Sequence, residues 1–318
     1  MRDAFARVLE EEMAQNERIV LITGDLGFGV LRQIHRRFPD RLINAGIAEQ
    51  GMVSMAAGLA ATGRTVLVYS IGNFPVLRPL EQIRNDCVYH KADVKIVCVG
   101  GGFVYGSLGM SHHATEDMAV MRSIPDMICY TPGDPAEAEA MTHDMIWRKG
   151  TCYLRLGRGN EPQVHDGPVK GWSFPKAITL RGGKDIAILS CGGILTQAMD
   201  AAERLAERGI SARVVSFPCL KPLDTDTVKE LLNSFRRIVT VEEHTIIGGF
   251  GSAICEQAAE AGTGCRIRRI GLEDCFTTVV GDRQYLREIY GMDGKAIADK
   301  AEAFLAEGHL LPAAGPGQ

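Results

Sequence analysis

Glu49 is the residue of this chain with the clearest chemical promise. It lies in Asn44-Ala45-Gly46-Ile47-Ala48-Glu49-Gln50-Gly51-Met52, between the strand-like Arg41-Leu42-Ile43-Asn44 and a small-residue helical run from Gly51 to Leu59. A carboxylate removed from water at such a crowded junction favours a partner that can share its proton. The same position suits a first-turn glutamate that stabilises the helix through its dipole. Local pattern leaves both roles open. A second candidate is the loop Gly100 to His113, which holds five glycines and ends in His112-His113. Glycines at this density allow close backbone approach to a ligand, and adjacent histidines cannot face the same way, so one at most enters a site. Arg155 and Arg158 fall in Tyr153-Leu154-Arg155-Leu156-Gly157-Arg158-Gly159-Asn160. Arg155 suits a structural ion pair, whereas Arg158, set between two glycines, has its fork free for a phosphate. Asp25 is presented by Gly24-Asp25-Leu26-Gly27-Phe28-Gly29, a tight turn whose spacing is neither the dinucleotide fingerprint nor a P-loop. No nucleophile elbow supports covalent side-chain catalysis.

These residues need strands to deliver them. Apolar, β-branched runs alternate with helical periodicity: Arg18–Thr23, Arg64–Tyr69, Val94–Val99, Met127–Tyr130 and Cys152–Leu156, with helices such as Leu80–Tyr89 and Pro135–Trp147 between them. This predicts an α/β fold with a mainly parallel sheet covered on both faces. From about Gly157 to Gly183 the pattern breaks into prolines and glycines. It resumes with strands Asp185–Cys191, Ala212–Phe217 and Arg237–Val241 and helices Leu195–Glu207, Thr225–Leu232 and Ser252–Ala261. Two open parallel-sheet domains are therefore expected, residues 1–160 and 184–310, joined by a linker over 161–183 and followed by a loose tail over 311–318. Functional loops should lie at the carboxyl ends of the strands.

The composition narrows the class. At 318 residues, with 46% hydrophobic and 23% charged residues, the chain has the makeup of a globular two-domain protein. A net charge of −4 without basic runs argues against nucleic acid as a partner. Nine scattered cysteines show no Cys-x-x-Cys pair or zinc spacing, which points to free thiols in a reducing compartment and to a cytoplasmic location. No apolar run has the length of a membrane span.

Taken together, the loops resemble the second half of transketolase, the thiamine-diphosphate enzyme that moves two-carbon ketol units between sugar phosphates. The resemblance covers nearly the whole chain: a pyrimidine-binding domain to about Asn160, then a carboxy-terminal domain from about Lys184. Gly46 to Met52 and Gly109-Met110-Ser111-His112 carry it, supported by Arg158-Gly159-Asn160 and by Glu242-Glu243-His244 with Gly248-Gly249-Phe250-Gly251. 1-Deoxy-D-xylulose-5-phosphate synthase is similar in the same places, especially from Arg155 to Asn160. The resemblance implies that Glu49 hydrogen-bonds the cofactor's aminopyrimidine and promotes the tautomer whose nitrogen deprotonates the thiazolium carbon. It implies that Phe74 stacks on the pyrimidine, in a segment one residue longer than the family's, with Tyr69 as a lesser candidate. Asp25 matches an aspartate near the cofactor, His112 a substrate-facing histidine, and Arg158 an arginine that binds the sugar phosphate, with Arg155 beside it. His244 matches a structural position.

The departures carry information too. Leu108 stands where transketolases place an aspartate that reads a substrate hydroxyl, and Gly100 stands near a further substrate histidine. This points to a modified or differently configured sugar. The family's diphosphate-binding half, with its Gly-Asp-Gly and downstream Asn, has no counterpart. The resemblance therefore implies one half of a split transketolase. A partner subunit would supply the diphosphate site and the main ligands for Mg2+ or Ca2+, thiamine diphosphate would span the interface, and the carboxy-terminal domain would self-associate in an α2β2 assembly acting on phosphorylated sugars. Two other readings remain: a subunit like the synthase or the beta chain of a 2-oxo acid dehydrogenase, and a non-catalytic regulatory subunit of the same fold.

Overall fold

A computed structural model describes residues 1–27 and 29–307; the end of the second domain and the expected tail over 311–318 lie outside them. The first sheet contains β1 (Ile19–Thr23), β2 (Leu42–Asn44), β3 (Thr65–Ile71), β4 (Val94–Val99), β5 (Ile128–Tyr130) and β6 (Cys152–Leu156). The second is built from β7 (Ile178–Arg181), β8 (Ile186–Cys191), β9 (Ala212–Ser216), β11 (Arg237–Thr245) and β12 (Arg266–Leu272), while β10 (Cys219–Lys221) crosses back to the first. The orders are β10-β5-β6-β4-β3-β1-β2 and β12-β11-β8-β9-β7. All neighbours pair parallel except two edge strands, β10 on β5 and β7 on β9. Both exceptions fall where sequence pattern is least informative. β7 lies inside the stretch expected as linker, and β10 is a three-residue strand between prolines.

Each central strand is buried on both faces, so its alternation sorts apolar residues between two helical layers. In β3, Val66 and Val68 face the helix Glu49–Ala61 through Met52, Val53 and Ala56. Leu67 and Tyr69 face the helix Arg2–Gln15 through Phe5 and Leu9. Burying Met52 and Val53 stabilises the helix Glu49–Ala61 by roughly 1.5–3 kcal/mol per side chain, and that helix places Glu49 at its first position. One apolar cluster runs from this layer through Ile96, Cys98 and Tyr153 into Ala187, Leu189, Val215 and Phe250 of the second domain. The domains therefore share a core. All nine cysteines are free, and six are buried.

Polar groups fasten the same seam. Asp134 caps the helix Pro135–Trp147 by accepting from the Glu137 N–H at 2.9 Å, and also accepts the Val164 and His165 N–H groups at 2.9 and 3.0 Å. His165 Nδ1 bonds Asp134 at 3.0 Å, while Glu137 accepts from Gly133 N–H at 2.6 Å and from Ser216 Oγ at 3.1 Å. Glu137 Oε1 and His165 Nε2 are left facing each other 3.7 Å apart, each without a hydrogen-bond partner among the described residues. One proton on this pair relieves both atoms. Burial pushes the Glu137 carboxyl up to about 7, against the pull of the Gly133 and Ser216 bonds, and the Asp134 bond raises His165. A folded-state pKa above the ordinary carboxylate value means that the folded chain holds a proton which the unfolded chain releases as pH rises from 4.5 to about 7. Stability should thus fall across that window, by on the order of 2 kcal/mol from this pair. Glu242, also raised to about 7 by burial, adds in the same direction, while His244, lowered to about 4 by burial, opposes it over the lower part of the window. Thermal midpoints from pH 5 to 8 should therefore slope less steeply in Glu137→Gln than in the wild type; parallel slopes would refute the assignment.

Candidate active site

The helix Glu49–Ala61 begins with a buried carboxylate, only 4% exposed. Arg78 reaches it from the end of the short helix Phe74–Leu77 that follows β3: its Nη1 lies 2.9 Å from both Glu49 Oε1 and Oε2. The Arg78 guanidinium also sits 4.1 Å from the centroid of the Phe74 ring, and Phe74 meets His112 edge-on at 5.0 Å. Glu49, Arg78, Phe74 and His112 thus form one contiguous group beside a cavity of about 500 Å³ lined by Ile47 to Gly51 and Arg78. Burial lowers the His112 pKa, helped by the neighbouring His113 and Arg78 charges, so its imidazole is held neutral and able to accept a proton. Arg78 was not legible as a site residue. The one available signal is its i, i+4 spacing from Phe74.

The loop carrying His112 is held in place by the segment leading into Phe74. Gly72 has φ +48°, and a Cβ there would stand 3.1 Å from the His112 carbonyl oxygen, so this close approach needs glycine. Asn73 donates to the His113 carbonyl at 2.6 Å. Of the two histidines, His113 is buried, with its ring nitrogens taken by Thr277 Oγ1 at 2.6 Å and the Gly106 carbonyl at 3.0 Å. Of the two, it is His112 that meets the Phe74 ring. At Gly100 a Cβ would meet the Tyr105 ring at 2.3 Å, so Tyr105 fills the space a side chain there would need. Leu108 is exposed on the same loop.

Two of the expected site residues stand elsewhere. Tyr69 projects to the opposite face of β3 from the helix of Glu49 and stacks on Phe5 at 5.9 Å. Phe74 opens the short helix Phe74–Leu77 beyond β3, and it is the ring that Arg78 joins to Glu49. Arg155 is 4% exposed and is committed to the domain seam: Nε donates to Asp117 at 2.7 Å, and Nη2 to the Ala114 and Glu243 carbonyls at 2.8 and 3.0 Å. Burial pushes the Asp117 carboxyl up, but the Arg155 charge outweighs it and holds it below the usual range. Arg155 is thus buried in the seam rather than presented at an opening. Arg158 stands at one: with Arg2, Gly159 and Asn160 it lines a cavity of about 360 Å³, its guanidinium 5.6 Å from the Tyr105 centroid. Arg2 enters from the first turn of the helix Arg2–Gln15, a placement that no local pattern announces. Asp25 follows β1 in a left-handed conformation, φ +58°. His244 is buried in the seam, where burial lowers its pKa to about 4.

The residues fit the pyrimidine end of thiamine diphosphate. A flat ring with one amino donor and two ring nitrogens suits the Phe74 face and the Glu49 carboxyl, and the segment leading into Phe74 holds two buried polar atoms, Ser70 Oγ and Asn73 Oδ1, that lack partners among the described residues. Among the described residues, no three His, Cys, Asp or Glu side chains are grouped to hold a metal ion, and no helix is long and apolar enough to cross a membrane.

Fold and site together define a two-domain α/β protein that gathers an aromatic ring, a histidine and a buried helix-starting carboxylate beyond the strands of its first sheet. The chain matches the profiles of the transketolase pyrimidine-binding domain over residues 1–163 and the transketolase C-terminal domain over residues 175–297. It is 34% identical over 305 residues to one subunit of the apulose-4-phosphate transketolase of Phocaeicola vulgatus, covering 96% of this chain and 97% of that protein. It is likewise 34% identical to a 6-deoxy-6-sulfo-D-fructose transketolase subunit of a Clostridium species, covering 95% and 93%. Among solved structures it superposes with a TM-score of 0.88 and 34% identity on a split-gene transketolase described as an inactive beta4 tetramer, covering 96% of this chain and 98% of that one. The chain belongs to the transketolase family, whose members use thiamine diphosphate, and is a transferase subunit of the split type.

Proposed function

We propose that this chain is the pyrimidine-binding subunit of a two-polypeptide transketolase that moves two-carbon ketol units between phosphorylated sugars. The observation that carries the reading is the contiguous group of Glu49, Arg78, Phe74 and His112 at one cavity. Bound thiamine diphosphate supplies a nucleophilic thiazolium carbon. Glu49 holds and exchanges a proton with the aminopyrimidine, for which Arg78 yields one of the two carboxylate oxygens it contacts. The Arg78 side chain is 47% exposed, so water can take over the contact it gives up, while the aminopyrimidine takes over at the buried Glu49 oxygen. Phe74 supports the ring, Asp25 lies on the adjacent loop, and neutral His112 accepts a proton from a substrate hydroxyl. Arg158 and Arg2 hold the substrate phosphate. A partner subunit supplies the diphosphate site and most ligands of the Mg2+ or Ca2+, and the carboxy-terminal domain carries self-association toward an α2β2 assembly in the cytoplasm. Leu108, together with relatives that act on apulose 4-phosphate and a sulfo-sugar, favours a modified sugar as substrate.

Reconstitution tests this directly. The chain alone, given thiamine diphosphate and Mg2+, should show no ketol transfer, and a diphosphate-binding partner should restore it; robust turnover by the lone chain would sink the reading. In the reconstituted enzyme, Arg158→Ala should raise KM for phosphorylated acceptors by about 10- to 100-fold with kcat little changed, the loss of one charge-assisted contact. An unchanged KM would move the phosphate elsewhere.

A further inference from the structure

One exposed side chain ties together the two loops that carry Asp25 and Glu49. Asn44 closes β2 in register with Thr23 of β1, and the last backbone bond between the two strands runs from Ala45 N–H to the Thr23 carbonyl at 2.9 Å. Beyond that point β1 turns into the Asp25 loop and β2 into the Glu49 junction. The Asn44 side chain then takes over. Its Oδ1 accepts from the Asp25 and Gly46 backbone N–H groups, each at 3.0 Å, and its Nδ2 donates to Asp25 Oδ1 at 2.9 Å. Two amide donors on one oxygen and a carboxylate on the nitrogen fix which atom is which. Both acceptor lone pairs and one of the two N–H donors are used, on a residue that water could satisfy equally well.

The residues it grips are the ones most in need of restraint. Asp25 has φ +58° and Gly46 has φ +70°. A Cβ disfavours this left-handed region at Asp25, and at Gly46 no neighbour stands within 4 Å of a Cβ, so the backbone angle rather than crowding calls for glycine. Both exits bend immediately after the last ladder bond, and both bends are bonded to the same amide group. Glu49 follows Gly46 by three residues, through a turn closed by the Ala48 N–H to the Gly46 carbonyl at 2.9 Å. Displacing Gly46 therefore displaces the start of the helix and the carboxylate on it.

We infer that Asn44 is a positioning residue: it fixes the spacing between the Asp25 loop and the Glu49 junction and so aims the Glu49 carboxylate at the aminopyrimidine. This rests on the reading of Glu49 proposed above. A shift of about 1 Å in a reacting group is enough to cost on the order of 100-fold in rate. The fold itself depends on Asn44 far less, since the Asp25 loop is held separately by Thr23 Oγ1 donating to the Leu26 carbonyl at 2.9 Å.

The test uses Asn44→Ala and Asn44→Asp, beside Glu49→Ala. In the chain alone, hydrogen exchange at the Asp25 and Gly46 amides should speed up at least about tenfold in Asn44→Ala, the amides having lost their acceptor. Asn44→Asp keeps that acceptor but sets a second carboxylate against Asp25, so Gly46 should stay protected. In the reconstituted complex, deuterium exchange at the thiazolium carbon should slow by about 10- to 100-fold in Asn44→Ala and by less in Asn44→Asp. KM for the sugar phosphate should hold, because Arg158 and Arg2 lie on other segments. A purely structural role would lower the melting temperature and leave the exchange rate of the folded complex unchanged, which would overturn the proposal. Wild-type exchange in Glu49→Ala would overturn the reading of the site, and this proposal with it. Slow exchange in Glu49→Ala with wild-type exchange in Asn44→Ala would overturn the positioning role alone.

Discussion

Replacing Glu49 with alanine in the reconstituted enzyme should slow deprotonation of the thiazolium carbon by about 10²- to 10⁴-fold, the range expected for removing a positioned acid–base group. Assembly should be untouched. The carboxylate is buried at the start of a helix whose packing comes from Met52, Val53 and Ala56, so shortening it leaves the apolar face intact. Glu49→Gln separates two contributions: it keeps the shape and a hydrogen bond but cannot pass a proton, and should be nearly as slow as alanine. Proton exchange followed by NMR on the bound cofactor reads this without any sugar substrate. A glutamine variant with wild-type exchange would show that Glu49 only holds the ring, and an alanine variant with wild-type exchange would remove Glu49 from the chemistry.

The second large effect is on stability. Arg155→Ala should cost about 3–5 kcal/mol, because it leaves the Asp117 carboxylate buried without its cation. Asp117 is fully buried and also accepts from the Tyr153 hydroxyl, which cannot neutralise it. The same guanidinium donates to the Glu243 carbonyl, and Glu243 in turn binds Arg283 and Arg287 of the second domain at 2.9 and 2.5 Å. Burial pushes the Glu243 carboxyl up, but those two cations outweigh it and hold it at about 2. Removing Arg155 should therefore loosen the seam between the domains as well as the end of β6. Urea unfolding of the single variant and of Arg155→Met with Asp117→Leu checks this: the double variant should recover the part of the loss due to the stranded Asp117 charge, while the Ala114 and Glu243 carbonyls and the Tyr153 hydroxyl stay short of their partners. A single variant within about 1 kcal/mol of wild type would contradict the account.

Several features were legible before the fold was known. Apolar runs separated by helical periodicity gave the α/β class, because a strand buried on both faces has to be apolar throughout. The junction at Glu49, the glycine-rich loop ending in His112 and the free fork of Arg158 announced themselves by residue type and spacing. The same continuity of apolar residues hid other things. In a strand covered on both sides, nothing local marks which face a residue takes, so Tyr69 stayed a lesser candidate beside Phe74 until β3 put it against Phe5. Arg155 and Arg158 were three residues apart and chemically alike. Only the depth of β6 in the seam assigned one to Asp117 and left the other at an opening. β7 and β10 were obscured by flanking glycine and proline, and their pairings depend on partners far along the chain.

Side-chain type and short-range periodicity marked Glu49, His112 and Arg158 as candidates and set out the strands that would deliver them to one end of a parallel sheet. Tertiary structure alone decided which of them meet. Arg78 joins Glu49 across 29 residues, Arg2 reaches Arg158 across the whole first domain, and Asn44 bonds to Asp25 from a neighbouring strand. Such contacts are set by sheet register and by which face each element buries, and those are properties of the packed chain that no local window of residues contains.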